Sequence, residues 1–392
     1  MIRVGFLVQY DAQGWTGGIN YLSNLFHAVR AQPESRLEPV LFTGVGLNPD
    51  LERRFPGFRI VRSRWLDGGG PRGVLRRASM RLLGRSIGIT DLLRRERVTV
   101  LSHSGDPGRG LGIPAIGWIA DFQHLHVTEL FSAKERADRD SVIRRLIEHC
   151  ELVVVSSQHA AGDLASFAPT QTSKARVLRF VATPQDPARL PDLVLLRQQY
   201  GFAEPYFHLP NQFWAHKNHR IVIDALATIA RSGHAPLVLA TGSTTDYRNP
   251  GHYERLMQHA REAGIGDRFR SLGLVPFEHL GGLMRHCVAV INPSLFEGWS
   301  TTVEESKSIG KTVILSDIAV HREQAPERAR YFSPTDANGL ANHMLEAVAA
   351  FDESAERRHE LEARERWPER LAAFGAEYCR IVAEVVNQPA GV

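Results

Sequence analysis

One stretch, residues 288–310, most limits the folds open to this chain. It begins with an apolar run, Val288 to Ile291, that predicts a short buried strand. Pro293 and Gly298 then indicate a turn, and Thr301 to Ile309 follows a helical pattern. The sequence therefore predicts a strand, a loop and the N-terminus of a helix. Free amides and the positive end of the helix dipole make such a junction suited to an anion, phosphate above all.

Two carboxylates flank this predicted anion site. Glu297 lies in the loop, and Glu305 lies about one turn into the helix. Carboxylates accept hydrogen bonds and repel phosphate, so we expect them to bind hydroxyls of a sugar and of a ribose on either side of a diphosphate. The ligand indicated is a sugar nucleotide. A purely structural interpretation stays open, because Thr302 and Glu305 have capping-box spacing and Glu297 could be an ordinary loop acid.

Strand-like and helical patterns alternate along the whole chain, in two halves. A proline-rich stretch with Pro184, Pro187 and Pro191 separates them. This alternation predicts an α/β fold of two Rossmann-like, doubly wound domains that face a central cleft. The expected bounds are an N-terminal domain over residues 1–183, a linker over 184–204, a C-terminal domain over 205–370, and a closing helix over 371–392 that returns to the first domain.

The length and composition of the chain are typical of a globular protein. The sequence has 392 residues, of which 43% are hydrophobic and 23% charged, and this length suits two or three domains. Its three cysteines, Cys150, Cys287 and Cys379, are too far apart to indicate a zinc site or a disulfide framework. The first residues do not resemble a signal peptide, and no apolar run approaches the roughly 18 residues that cross a bilayer. We therefore expect a cytoplasmic protein.

Positive charge is concentrated between Glu52 and Arg97. This segment holds 13 Arg and 4 acids, a local charge of +9, whereas the whole chain carries +4. It includes an amphipathic pattern in which apolar residues alternate with Arg72, Arg76, Arg77, Arg81 and Arg85. One hypothesis is peripheral contact with an anionic membrane, at the inner face of the cell membrane, and the other is a solvated helix face. A nucleic-acid-binding role is disfavoured, because few aromatic residues accompany the arginines.

A glycine-rich segment, Gln9 to Asn20, connects the first predicted strand to a helical pattern that starts at Ile19. Gly17 and Gly18 would allow the backbone to approach a ligand closely. The spacing is not G-x-G-x-x-G, which argues against a dinucleotide-binding oxidoreductase.

Polar residues follow another apolar strand, which starts at Ile116. Asp121 and His124 come directly after it, with His126 and Glu129 as weaker candidates. Ligands of parallel sheets gather at the carboxyl ends of strands. Asp121 and His124 are therefore candidates to hold or deprotonate an acceptor hydroxyl.

The loop and helix described first also carry a family resemblance. Glu297 and Glu305 lie in a Pro-Ser-x-x-Glu-Gly context, with seven residues between the two acids. This resembles the EX7E signature of retaining glycosyltransferases of family 4, which have the GT-B fold, and similar motifs extend from residue 1 to about 385. The resemblance implies that the Gly17–Gly18 loop lies over the donor diphosphate and that residues 116–126 form the acceptor segment, although Ala120 stands where a His is common.

The resemblance also implies a set of donor contacts in the second half. Lys217 corresponds to the lysine of an Arg-x-x-x-x-Lys pair that grips the diphosphate; Gln212 stands in the arginine position, and His216 is a candidate to compensate. Leu274 and Val275 would neighbour the nucleotide base. The remaining contacts would be the Ser300, Thr301 and Thr302 amides at the phosphates and Glu305 at the ribose.

These observations lead to one main functional hypothesis. We expect a retaining transfer of a sugar from a nucleotide-diphosphate sugar to a saccharide or lipid-linked saccharide, in polysaccharide or glycoconjugate synthesis. No Asp-x-Asp motif stands at a strand end, and we expect no cofactor and no required metal. The alternative on the same fold is a sugar-nucleotide epimerase or hydrolase, which would consume the donor without an acceptor.

Overall fold

The computed structural model of the chain describes residues 1–8, 16–46, 51–67, 69–105 and 107–387. These residues form two compact units. The first contains Met1–Phe122, Ala133–Val181 and the residues from Glu369 onward, and the second contains Gln123–Ser132 and Ala182–Pro368.

Seven parallel strands form the sheet of the first unit. They are β1 (Ile2–Val8), β2 (Leu37–Thr43), β3 (Arg59–Arg62), β4 (Val100–Ser104), β5 (Ala115–Ile119), β6 (Leu152–Val155) and β7 (Ala175–Val177). Their order across the sheet is β3-β2-β1-β4-β5-β6-β7. The central strands are apolar and buried, as expected where helices cover both faces of a parallel sheet.

Seven helices occur before residue 168 in the described part of the chain. They are α1 (Thr16–Arg30), α2 (Leu51–Arg54), α3 (Gly70–Leu83), α4 (Ile87–Arg95), α5 (Gln123–His126), α6 (Ala133–His149) and α7 (Gln158–Phe167). Residues 9–15 of the predicted glycine-rich loop lie outside the described residues. Gly17 and Gly18 belong to the first turn of α1, so the helix begins earlier than its periodicity from Ile19 predicts.

The second unit repeats this architecture with six parallel strands. They are β8 (Tyr206–Leu209), β9 (Leu237–Thr241), β10 (Phe269–Gly273), β11 (Val290–Asn292), β12 (Val313–Ser316) and β13 (Ala329–Phe332). Their order is β10-β9-β8-β11-β12-β13. The predicted pair of Rossmann-like α/β domains is thus confirmed. In each sheet, successive strands are added first on one side of the unit's first strand and then on its other side.

Helices of the second half flank this sheet. They are α8 (Leu193–Tyr200), α9 (His219–Ser232), α10 (His252–Glu262), α11 (Phe277–His286), α12 (Thr301–Ser308), α13 (Ala319–Gln324), α14 (Ala337–Ala349) and α15 (Glu353–Val386). The helix predicted over Thr301 to Ile309 is confirmed as α12. Helix α8 lies inside the segment 184–204, which the prolines predict to be a linker.

The long helix α15 belongs to both units: its residues up to Pro368 are part of the second unit, and those from Glu369 are part of the first. Its residues from Glu369 onward pack on α1 and on the residues directly after α1, within the first unit. Gln32 Nε2 donates to the Ala372 carbonyl at 2.8 Å. A Cβ atom placed on Gly375 would lie 2.3 Å from the Ala28 carbonyl oxygen, so only glycine permits this close helix contact.

Among the described residues, no helix combines the length and the apolar character of a transmembrane span.

Candidate functional site

The candidate site of the second unit lies at the point of its sheet where the strand order reverses, between β8 and β11. Strands β8 and β11 are neighbours, and the chain leaves them toward opposite edges of the sheet. Crevices at such switch points, outside the carboxyl ends of the strands, are the usual ligand sites of open α/β sheets. Two loops meet here, residues 210–218 after β8 and residues 293–300 after β11.

Glu297 is the acid of the second loop, and two donors hold one oxygen of its carboxylate. Lys217 Nζ donates to Glu297 Oε1 at 2.7 Å, and the Ser294 hydroxyl lies 2.7 Å from the same oxygen. The Glu297 side chain is 10% exposed. Burial alone would raise its pKa, but the charge of Lys217 and its hydrogen bond dominate and lower the pKa to about 2. Glu297 is therefore an ionised, oriented hydrogen-bond acceptor at neutral pH.

Lys217 reaches this carboxylate from a short 3₁₀ turn, Ala215–Lys217. The next residue, Asn218, adopts the left-handed conformation, with φ of 55°. Its side-chain amide donates to the carbonyls of Pro293 and Pro334, at 3.2 and 3.0 Å. These bonds hold the lysine turn against the Glu297 loop. An ammonium group has three donors, so Lys217 can hold Glu297 and also contact an anion.

Ser300 is the N-cap of α12, and a polar network fixes it. Its Oγ accepts a hydrogen bond from Asn292 Nδ2 at 2.7 Å and caps the amide of Val303 at 3.4 Å. Its own amide donates to Gln324 Oε1 at 3.1 Å, and Gln324 Nε2 donates to its carbonyl at 2.9 Å. The Ser300 amide is thus already used, contrary to its expected place among the phosphate contacts. The first helical amides, those of Thr301 and Thr302, have no carbonyl partner within the helix.

The capping box considered for Thr302 and Glu305 does not form. The cap is Ser300, two residues earlier, and the Thr302 hydroxyl donates to the Pro210 carbonyl at 3.4 Å. The structural interpretation of Glu305 as a capping residue is therefore wrong. Its side chain is half-buried and makes no hydrogen bond or ion pair with another residue that the structure describes.

Glu305 instead lines a cavity of the second unit. Phe277, Leu280, Met284 and Ile309 supply apolar walls, and its polar lining includes Gln185, Arg285 and Glu360. Burial raises the pKa of Glu305 to about 7. A carboxylate without a described partner beside an apolar wall suits a ligand that offers hydroxyl groups and a flat ring.

The other predicted contacts of the second unit differ in their surroundings. The Gln212 carboxamide oxygen accepts from the Ser243 amide at 2.7 Å, which fixes the neighbouring loop. His216 is 4% exposed, and burial lowers its pKa to about 3. It is neutral and cannot replace a missing cation. Leu274 is 76% exposed and Val275 is half-buried, both directly after β10.

The predicted acceptor residues are divided between the units. Asp121, in the first unit, pairs with Arg139 at 2.7 Å. His124 and His126 belong to the segment 123–132, which packs in the second unit. The His124 ring is buried, whereas the His126 ring is exposed and stacks on Phe296 with 5.0 Å between centroids.

One buried histidine near Glu297 escaped the sequence analysis. His321 Nδ1 lies 2.8 Å from the Ser316 carbonyl, which can only accept, so Nδ1 carries the proton. Its Nε2 is buried without a partner in the described residues. Burial lowers the pKa of His321, while Glu297 acts in the opposite direction. The imidazole is neutral, and its Nε2 is a hydrogen-bond acceptor. In the sequence, the one signal for this residue is its position shortly after the strand β12.

Residues 196–366 match the sequence model of the family described as "Glycosyl transferases group 1". A comparison with curated proteins finds no match.

Three solved structures illustrate the likeness. A glycosyltransferase from Rickettsia africae is 14% identical with a TM-score of 0.70, covering 99% of each chain. HepE from Anabaena, bound to UDP and glucose, is 16% identical with a TM-score of 0.70, covering 98% of this chain and 100% of its own. WaaG, a glycosyltransferase involved in lipopolysaccharide biosynthesis, is 14% identical with a TM-score of 0.59, covering 98% and 100%. The chain therefore has the GT-B fold, and its residues 196–366 match the group 1 glycosyltransferases.

Proposed function

We propose that the protein transfers a sugar from a nucleotide-diphosphate sugar to an acceptor hydroxyl, with retention at the anomeric carbon. The observation that carries the proposal is the Glu297–Lys217 pair beside the start of α12, with Glu305 eight residues further on. This arrangement puts a cation and free helix amides where a diphosphate could bind. It also supplies two acids that match hydroxyl groups on either side of it.

The diphosphate is the leaving group, so the protein must stabilise its growing negative charge. Lys217 and the amides of Thr301 and Thr302 are suited to this, and we assign Gly17 and Gly18 the same role from the first unit. His216, which is neutral, and Gln212 could add hydrogen bonds but no charge. Metal is not required by this scheme, because these groups supply the electrostatic stabilisation.

Glu297 and Glu305 have different proposed partners. Glu297 is ionised and fixed by Lys217 and Ser294, as a group that orients a sugar must be. Glu305 has no described hydrogen-bond partner and lies against apolar side chains, which suits the ribose of a nucleotide. Val275 would then lie near the base.

In the proposed step, the bond from the anomeric carbon to the phosphate oxygen breaks and a bond to the acceptor oxygen forms on the same face. The acceptor proton passes to the departing phosphate. We assign Asp121 and His124 to positioning the acceptor. The acceptor class we propose is a saccharide or a lipid-linked saccharide, in glycoconjugate or polysaccharide synthesis.

The experiment that tests this function has two stages. Thermal stabilisation by a panel of nucleotide sugars identifies the donor, and donor consumption is then followed with and without candidate acceptors. Product formation that needs an acceptor, with the anomeric configuration kept in the NMR spectrum and full activity in EDTA, is the expected result. Donor consumption at the same rate without any acceptor would favour a hydrolase or epimerase instead.

A further inference from the structure

Helix α3 (Gly70–Leu83) is attached to the first unit by one side only. Gly73 and Ser79 are buried, and Arg76 and Met80 are half-buried. Arg76 Nη1 donates to the Trp65 carbonyl at 3.5 Å. These residues lie on one face of the helix, at spacings of three, four and seven.

The opposite face carries apolar side chains into solvent. Val74, Ala78 and Leu82 are four residues apart, so they form one stripe along the helix. Val74 is 59% exposed, Leu82 is 81% exposed, and Leu75 beside them is 50% exposed. A surface helix of a soluble protein normally turns such residues toward the core. The stripe therefore indicates a surface that contacts something apolar.

Positive charge borders this stripe. Arg77 and Arg81 are exposed and lie one helical turn apart along its edge, and Arg72 is exposed on the other side. The helix contains four arginines and no acidic residue. Arg85, which the sequence analysis grouped with them, follows the helix and is half-buried. The exposed positive charge beside the stripe therefore comes from three arginines, Arg72, Arg77 and Arg81, and not from all five that the sequence analysis grouped.

We propose that the exposed face of α3 binds the surface of an anionic lipid bilayer. Val74, Leu75 and Leu82 would enter the interface between headgroups and acyl chains, and Arg77 and Arg81 would contact lipid phosphates. Interfacial helices combine an apolar stripe with flanking cations in this way. A second copy of the chain fits less well, because it would bring an equally positive helix against this one. The inference does not depend on the proposed sugar transfer.

Flotation with lipid vesicles tests this surface. The full-length protein should float with vesicles of equal parts phosphatidylglycerol and phosphatidylcholine, remain unbound with phosphatidylcholine alone, and dissociate as salt rises from about 0.05 to about 0.5 M. The double variant Arg77→Ala, Arg81→Ala should bind these vesicles about 25-fold more weakly, roughly fivefold for each lost charge. Leu82→Ser should weaken it about tenfold.

Matched controls lie on α15, where Arg357 and Arg358 are exposed and Leu361 is 63% exposed. The double alanine variant of these arginines and Leu361→Ser should float like the unchanged protein, and thermal melting should confirm that every variant folds. Equal flotation with neutral lipid, or equal losses in the α15 controls, would overturn the proposal. Light scattering that shows a dimer of the unchanged protein and a monomer of Leu82→Ser would also overturn it, because the apolar stripe would then bind a second copy of the chain.

Discussion

The two units have the same strand order around their first strand, yet the ends of their central strands are filled very differently. In the first unit, His103 of β4 donates or accepts at both ring nitrogens, to Tyr21 Oη at 2.7 Å and Ser102 Oγ at 2.8 Å. Tyr21 stacks on Trp118 with 4.5 Å between ring centroids. Both ring nitrogens of the buried His103 are thus satisfied by neighbouring hydroxyls, although this residue has a φ of 52°.

The equivalent point of the second unit holds charge and polar atoms without described partners. Glu297 and Lys217 form a largely buried ion pair, and one buried ring nitrogen of each of two histidines, His216 Nδ1 and His321 Nε2, makes no hydrogen bond in the described structure. A buried polar atom without a partner is costly unless a ligand or water completes it. Topology alone therefore does not decide where a ligand binds. The side chains that follow the strands decide it.

The largest expected effect is on turnover, from Glu297→Gln. The amide keeps the shape of the side chain but cannot accept as strongly from a sugar hydroxyl, so we expect a loss of about 100- to 1000-fold in kcat. Nucleotide affinity should persist, because Lys217 is released from its carboxylate partner. The control is Glu278→Gln, an exposed acid at the start of α11. Unchanged kcat in the Glu297 variant would remove this residue from the mechanism.

A smaller effect is expected on binding from Lys217→Ala. The loss of a charge-assisted hydrogen bond should weaken nucleoside diphosphate binding about 10- to 100-fold and leave nucleoside binding nearly unchanged. Calorimetry with both ligands measures the difference. Arg220→Ala, an exposed cation of the neighbouring helix, serves as the control. Equal losses for nucleoside and nucleoside diphosphate would show that Lys217 supports the fold and not the phosphates.

The Tyr21–His103 pair of the first unit should affect stability and not donor binding. Tyr21→Phe removes the hydroxyl that pairs with the buried His103 ring, and we expect it to lower the free energy of unfolding by about 1–3 kcal/mol. Denaturant titration measures the loss, and thermal shifts with the nucleotide donor measure binding. A variant that keeps its stability but loses donor affinity would place the His103 region in the ligand site and break the contrast between the units.

The same contrast explains what the sequence predicted well. Buried strands and helical periodicity are local patterns, so the two α/β sheets and the position of α12 follow directly from them. Glu297 was assigned to the donor from its loop before a predicted helix start, and Lys217 from the family resemblance. Their direct ion pair was not predicted, because it joins loops 80 residues apart in the chain.

Other features of the site depend on contacts that no local pattern contains. The cap of α12 is Ser300 because Asn292 and Gln324 hold it there, and so the Thr302–Glu305 spacing misled the capping interpretation. His321 is significant only through its burial near Glu297. Spacing rules find residues that act along one helix, whereas these residues act across several loops.

The smallest expected effect is a pH dependence at Glu305. Its folded-state pKa of about 7 lies above the ordinary glutamate value, so the protonated form favours folding and this stability is lost as pH rises toward 7. Ionised Glu305 is the better acceptor for ribose hydroxyls, so nucleotide affinity should rise several-fold between about pH 6 and pH 8. Arg285 and Glu360, which share the cavity, pair with each other at 2.8 Å. Glu305→Gln should melt higher than the unchanged protein above pH 7 and bind nucleotide without this pH dependence. A variant with the same pH profile as the unchanged protein would assign the titration to another group and would leave Glu305 without the proposed ribose contact.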